Sequence, residues 1–143
     1  MLFGKRKRAI SRILIVEDEP LVAFDNEHLL GDAGYQVVGT VDNVEDAAAL
    51  IDAQQIDLIL TDLTLSDDGS GADVARAAQA KGVPVLFVTG HALGPDVQAL
   101  GLGCLTKPFT EKGLKAALEA LDGMLQGKTP KRLPAGLSLY ERA

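Results

Sequence analysis

Asp62 ends a run of strand-forming apolar residues, Leu58-Ile59-Leu60, and is followed by Leu63-Thr64-Leu65. A second run, Ile13-Leu14-Ile15-Val16, ends in Glu17, Asp18 and Glu19. A third, Val85-Leu86-Phe87-Val88, ends in Thr89-Gly90, and Lys107-Pro108 comes after it. Acids, a hydroxyl and an amine at the ends of separate strands are what metal-assisted phosphoryl transfer to a carboxylate requires. Carboxylates about 4 Å apart repel by roughly 4 kcal/mol per pair at an effective dielectric of 20, so they protonate or recruit a cation. Several acids with water suit Mg2+. An aspartate can act as the nucleophile and form an acyl phosphate, while a lysine and a hydroxyl balance and bind the phosphoryl oxygens.

The elements that must position these groups alternate along the chain. Continuous apolar runs predict parallel strands, covered on both faces, near 12–17, 35–41, 57–62, 84–89 and 102–106. A first helix starts at Pro20, whose fixed φ suits a first turn, with Val22, Leu29, Leu30 and Ala33 on its core face. Asp42 and Glu45 have capping-box spacing for a second helix that buries Val44, Ala47, Ala48 and Ile51. A third helix over 71–80 buries Val74, Ala77 and Ala78, and a fifth over 110–125 buries Leu114, Ala117, Leu118, Leu121 and Leu125. Between Pro95 and Gly101 there is room for about two turns at most, so the fourth helix is short. Such β/α units form an open parallel sheet whose site lies at the carboxyl ends of the strands. With strands one and three adjacent, Glu17, Asp18 and Asp62 meet.

The 143 residues suffice for one domain, and 47% are hydrophobic, which favours folding over disorder. The net charge of −6 hides an asymmetry. Residues 1–12 carry +5 and residues 126–143 carry +3, which leaves −14 on residues 13–125. An acidic globule argues against nucleic acid as a partner. Residues 1–11 read as a basic N-terminal tail, 12–125 as the folded domain, and the Gly-, Lys- and Pro-rich 126–143 as a flexible basic C-terminal tail. The single cysteine, Cys104, excludes an internal disulfide and suits a reducing compartment. The apolar run behind the basic N-terminus is too short for a signal-peptide core or a membrane span, so a cytoplasmic protein without membrane insertion is expected.

Four motifs in order, ILIVEDEP (Ile13–Pro20), LILTDL (Leu58–Leu63), VLFVTG (Val85–Gly90) and KPF (Lys107–Phe109), closely resemble the receiver domain of two-component response regulators. Phe87-Val88-Thr89-Gly90 also resembles the Phe-Ala-Thr-Gly signature of a receiver subgroup, often stand-alone proteins, some of them in bacterial stress signalling. The resemblance implies a flavodoxin-like (CheY-like) five-stranded parallel sheet of order 2-1-3-4-5. It implies that Asp62 accepts the phosphoryl group, and that Asp18, Asp62 and the Thr64 backbone carbonyl ligate Mg2+, with Glu17 acting through metal-bound water. Thr89 and Lys107 would contact the phosphoryl oxygens, and the Lys107–Pro108 bond would be cis. The implied partners are a histidine kinase or histidine phosphotransfer protein and a downstream signalling protein. The protein would be a phosphoacceptor rather than an enzyme, active by contact or as a phosphate sink.

Two departures concern the response to phosphorylation. The position three before Lys107, an aromatic in most of the family, is Cys104, and the spacing from Thr89 to Lys107 is about one helical turn short. The segment 90–103 is therefore expected to carry the change. His91, two residues after Thr89, would modulate access or dephosphorylation. Asp67 and Asp68 read as solvated loop acids. A haloacid-dehalogenase-like phosphatase is the alternative; it wants a second Asp two residues after the nucleophile, where this chain has Thr64. A flavodoxin-like nucleotide binder would want a Gly-rich phosphate loop, which the chain lacks.

Overall fold

The apolar runs become neighbouring strands in the computed structural model, which describes residues 8–130 and 132–140. The elements are β1 (Arg12–Val16), α1 (Pro20–Asp32), β2 (Gln36–Val41), α2 (Val44–Ala53), β3 (Leu58–Asp62) and α3 (Gly71–Ala80). They continue with β4 (Val85–Thr89), α4 (Pro95–Gln98), β5 (Gly103–Thr106), α5 (Glu111–Leu125) and β6 (Leu137–Leu139). The sheet order is β2-β1-β3-β4-β5-β6. The first five strands pair in parallel, with the apolar runs of β1, β3 and β4 at the buried centre.

Alternate residues of each central strand feed two cores. Ile13, Ile15, Leu58, Leu60, Leu86 and Val88 face Leu30 of α1 and Leu114, Leu118 and Leu121 of α5. Leu14, Val16, Ile59, Val85 and Phe87 face Ala47 and Ile51 of α2 and Val74 and Ala78 of α3. The helix starts are chemically specified. Ser70 and Asp73 form a reciprocal capping box on α3, and the Thr110 side chain accepts the Gly113 N–H on α5.

Four details differ from the sequence expectations. The sheet has a sixth strand: Leu137–Leu139, inside the segment read as a flexible tail, pairs antiparallel with β5. Residues 8–11 are likewise part of the domain. Ile10 is fully buried, and the Asp122 carboxylate accepts the N–H groups of Ala9 (3.2 Å) and Ile10 (2.9 Å). Lys5, Arg6, Lys7, Lys131 and Arg142 lie outside the described residues. Asn43, not Asp42, caps α2, accepting the Asp46 N–H at 2.8 Å. Finally, α1 buries Ala23, Asn26 and Leu30 and leaves Val22 and Leu29 half-buried. Four consecutive apolar residues, Leu21–Phe24, leave the helix face undetermined by periodicity.

Candidate functional site

Each functional side chain leaves the sheet at its carboxyl edge, held there by backbone bonds. Glu17 follows β1. Its N–H donates to the Val41 carbonyl (2.9 Å), and its carboxylate accepts the Glu19 N–H (3.1 Å). Asp62 closes β3, and its Oδ1 accepts the N–H of Leu63 at 2.8 Å. Directly beneath, α3 begins. The Gly71 N–H donates to the Leu63 carbonyl (2.7 Å), and a Cβ at Gly71 would lie 2.3 Å from the Asp62 carbonyl oxygen. A residue without a side chain is therefore what lets α3 start this close to Asp62.

Lys107 follows β5, and its N–H donates to the Thr89 carbonyl (3.0 Å), which ties it to the end of β4. The Lys107–Pro108 peptide is cis. The Lys107 Nζ donates to Glu17 Oε1 and to Asp62 Oδ2, both at 3.1 Å. Thr89 is buried, and its Oγ1 accepts the His91 N–H at 3.2 Å. His91 is itself exposed and meets the site through this backbone bond. Thr64 sits at the exposed mouth, where its backbone bridges to Ser70. Cys104 is buried in β5, opposite Phe87 of β4.

Carboxylate oxygens of Glu17, Asp18 and Asp62 lie within 4.8 Å of one another. Burial pushes the Glu17 carboxyl up to about 7, and the Asp62 charge adds to this. The Glu19 N–H and Lys107 oppose the rise without cancelling it. Burial would lower the Lys107 pKa, yet the hydrogen bonds and charges of Asp62 and Glu17 raise it. Glu17 and Asp62 thus share one ammonium with Asp18 clustered beside them, so the three acids carry more charge than Lys107 balances. The donor set is entirely oxygen, which fits Mg2+ rather than a softer metal.

The fold clusters Glu17, Asp18 and Asp62, brings Lys107 onto Glu17 and Asp62, and holds Thr89 at the same sheet edge through its carbonyl, with Thr64 at the mouth. Three contributors were not singled out. The Leu63 and Glu19 amides orient the two carboxylates, and a backbone N–H carries no sequence signal. Gly71 could have been noticed as a glycine at the first position of a helix. Asp67, read as solvated, is exposed but accepts the Val44 N–H at 2.9 Å and so ties the loop after β3 to α2.

Comparison with known proteins agrees with this geometry. The receiver domain of the sensor histidine kinase PA1611 from Pseudomonas aeruginosa, solved with a magnesium ion coordinated in its active site cleft, is 30% identical. It matches 79% of this chain and 98% of that one, with a TM-score of 0.70. SdrG from Sphingomonas melonis is 37% identical over 79% of this chain and 97% of its own, with a TM-score of 0.67. The phyllosphere-induced regulator PhyR of Methylorubrum extorquens is 36% identical over 83 residues, 57% of this chain; the match spans 31% of that longer relative. No helix among the described residues is long and apolar enough to cross a membrane. Residues 13–119 match the model of the response regulator receiver domain, and the chain belongs to that family of two-component phosphoacceptors.

Proposed function

We propose that Asp62 accepts a phosphoryl group from a phosphohistidine on a histidine kinase or histidine phosphotransfer protein. The observation that carries this reading is the convergence of Lys107 Nζ on Glu17 and Asp62, at the same edge as Thr89. An Asp62 carboxylate oxygen attacks phosphorus. As the new P–O bond forms, the P–N bond to the donor imidazole breaks, and the freed imidazole keeps its electron pair and takes a proton. Lys107 then shifts its charge toward the phosphoryl oxygens, and the Thr89 hydroxyl donates to one of them. Glu17, Asp18, Asp62 and the Thr64 carbonyl would hold Mg2+, which supplies positive charge to the transferring group. His91 would act on the phosphoryl lifetime through its backbone N–H, which donates to Thr89 Oγ1, rather than through its exposed ring.

The donor would dock beside Lys107. A groove of about 500 Å3 opens there, lined by Val22, Asn26, Leu29, Lys107 and Phe109. Next to it α1 exposes Leu21 and Phe24, at 79% and 63%. An apolar patch of this kind at the mouth of a charged site suits a helical partner. The phosphorylated protein would act on a downstream protein by contact or drain phosphate from its donor.

The test is phosphotransfer from candidate kinases with and without Mg2+, read by intact mass. Wild type gains one phosphoryl group only with Mg2+, and Asp62→Asn gains none. Label retained by Asp62→Asn overturns the assignment.

A further inference from the structure

The β5 edge of the sheet is occupied by the chain's own C-terminus. β6 runs antiparallel to β5, with Gly103 opposite Leu139, Cys104 opposite Ser138 and Leu105 opposite Leu137. The Thr106 N–H donates to the Gly136 carbonyl and the Tyr140 N–H to the Leu102 carbonyl, both at 2.9 Å. The approach is close: a Cβ at Gly103 would lie 2.3 Å from the Ser138 carbonyl oxygen. The register delivers Tyr140 onto the core that holds Cys104 and Phe87.

Cys104 thereby sits between the phosphoacceptor site and β6. It pairs with Phe87, two residues before Thr89, on one side and with Ser138, two residues before Tyr140, on the other, and Tyr140 packs against the core that Cys104 and Phe87 share. Tyr140 is pushed up to about 12 by burial and by Cys104. Thr89 is close-packed, with its Oγ1 committed to the His91 N–H. A phosphoryl group on Asp62 that takes the Thr89 O–H and draws Oγ1 away from the His91 N–H pulls on the end of β4. Dense cores pass such displacements to whichever neighbour is least held. Phe87 belongs to a central strand and is fully buried. Tyr140, by contrast, follows a three-residue strand with a single neighbour.

We infer that Tyr140 reads the state of the phosphoacceptor site through Thr89 and Cys104, and that phosphorylation of Asp62 releases β6 from the β5 edge. The free edge, with its unpaired N–H and C=O groups, is then open to a strand from a partner. The inference rests on the reading of Asp62 as phosphoacceptor.

Beryllofluoride with Mg2+ is the probe, its occupancy of Asp62 followed by fluorine NMR and the strand by amide exchange. At full occupancy, amide protection over Leu137–Tyr140 falls. Linkage makes the effect reciprocal. Gly103→Ala, which crowds β6 off the edge while keeping Tyr140, should therefore bind beryllofluoride about fivefold more tightly, at the lower end of usual couplings. In Tyr140→Ala the strand no longer responds to the probe. Full occupancy with unchanged or increased protection overturns the inference and leaves the phosphoacceptor reading intact. So does wild-type affinity in Gly103→Ala, or a fully retained strand response in Tyr140→Ala. Absence of beryllofluoride from Asp62 in the wild type removes both.

Discussion

Gly71 at the start of α3 and Gly103 in β5 meet the same obstacle. At each, an added Cβ would lie 2.3 Å from a carbonyl oxygen: that of Asp62 for Gly71, that of Ser138 for Gly103. What stands behind the two oxygens differs. Asp62 belongs to β3, paired with β1 and β4 and covered by helices on both faces. Ser138 belongs to a terminal three-residue strand and is exposed. The phosphoacceptor therefore stands on the most firmly held part of the molecule. The part that can give way lies beside a four-residue α4 and the β5 edge. Acceptance of a phosphoryl group needs the first property, and transmission of its presence needs the second.

The largest expected effect is on the rigid side. Gly71→Ala forces backbone against backbone, and such overpacking should cost about 3 kcal/mol and reduce phosphoacceptance by disturbing Asp62. Gly103→Ala should cost under about 1 kcal/mol, because the edge strand can move aside. Urea unfolding of the two variants measures the difference. Equal costs would break the comparison by showing that β6 is as firmly held as the β3–α3 junction.

The next effect comes from the buried charge. Folding raises the Glu17 pKa from 4.5 to about 7, chiefly by burial. Between those values the folded protein keeps a proton that the unfolded chain has lost. Stability in metal-free buffer therefore falls as pH rises from about 4.5 to 7 and levels off above, by on the order of 3 kcal/mol. Glu17→Gln removes this component, so the informative quantity is the difference between the two stability–pH curves. Added Mg2+ should flatten the wild-type slope. Parallel curves for the two proteins across that window would mean that Glu17 is not a strained acid.

The rigid side was also the legible side. Ile13–Val16, Leu58–Leu60 and Val85–Val88 announce buried parallel strands by their length and composition, and the groups that end them fall together once the sheet is formed. Edges carry weaker signals. Leu137-Ser138-Leu139 is too short for its alternation to stand out among Pro134, Ala135 and Gly136, and its pairing is set by β5, distant in sequence. Ile10 was hidden for a similar reason. It follows a run of four basic residues, Lys5–Arg8, and its anchor, Asp122, is 112 residues away. Composition identified basic tails correctly as basic, but composition does not report which carboxylate captures a backbone N–H.

The smallest effect tests where the two sides join. Thr89 Oγ1 accepts the backbone N–H of His91, and the imidazole is exposed. His91→Ala keeps that N–H, so the hydroxyl that meets the phosphoryl group stays oriented. Its stability should change by no more than about 0.5 kcal/mol, as for other surface substitutions. The phosphoryl lifetime should change by no more than about twofold, the kinetic equivalent of that energy. Measured loss of label from phospho-Asp62 at pH 7 and at pH 5.5 separates the contributions of ring and backbone. A tenfold change at either pH would place the imidazole itself among the groups that control dephosphorylation. The loop after β4 would then belong with the chemistry of the rigid side, and Thr89 would be governed from the mouth of the site as well as from β5.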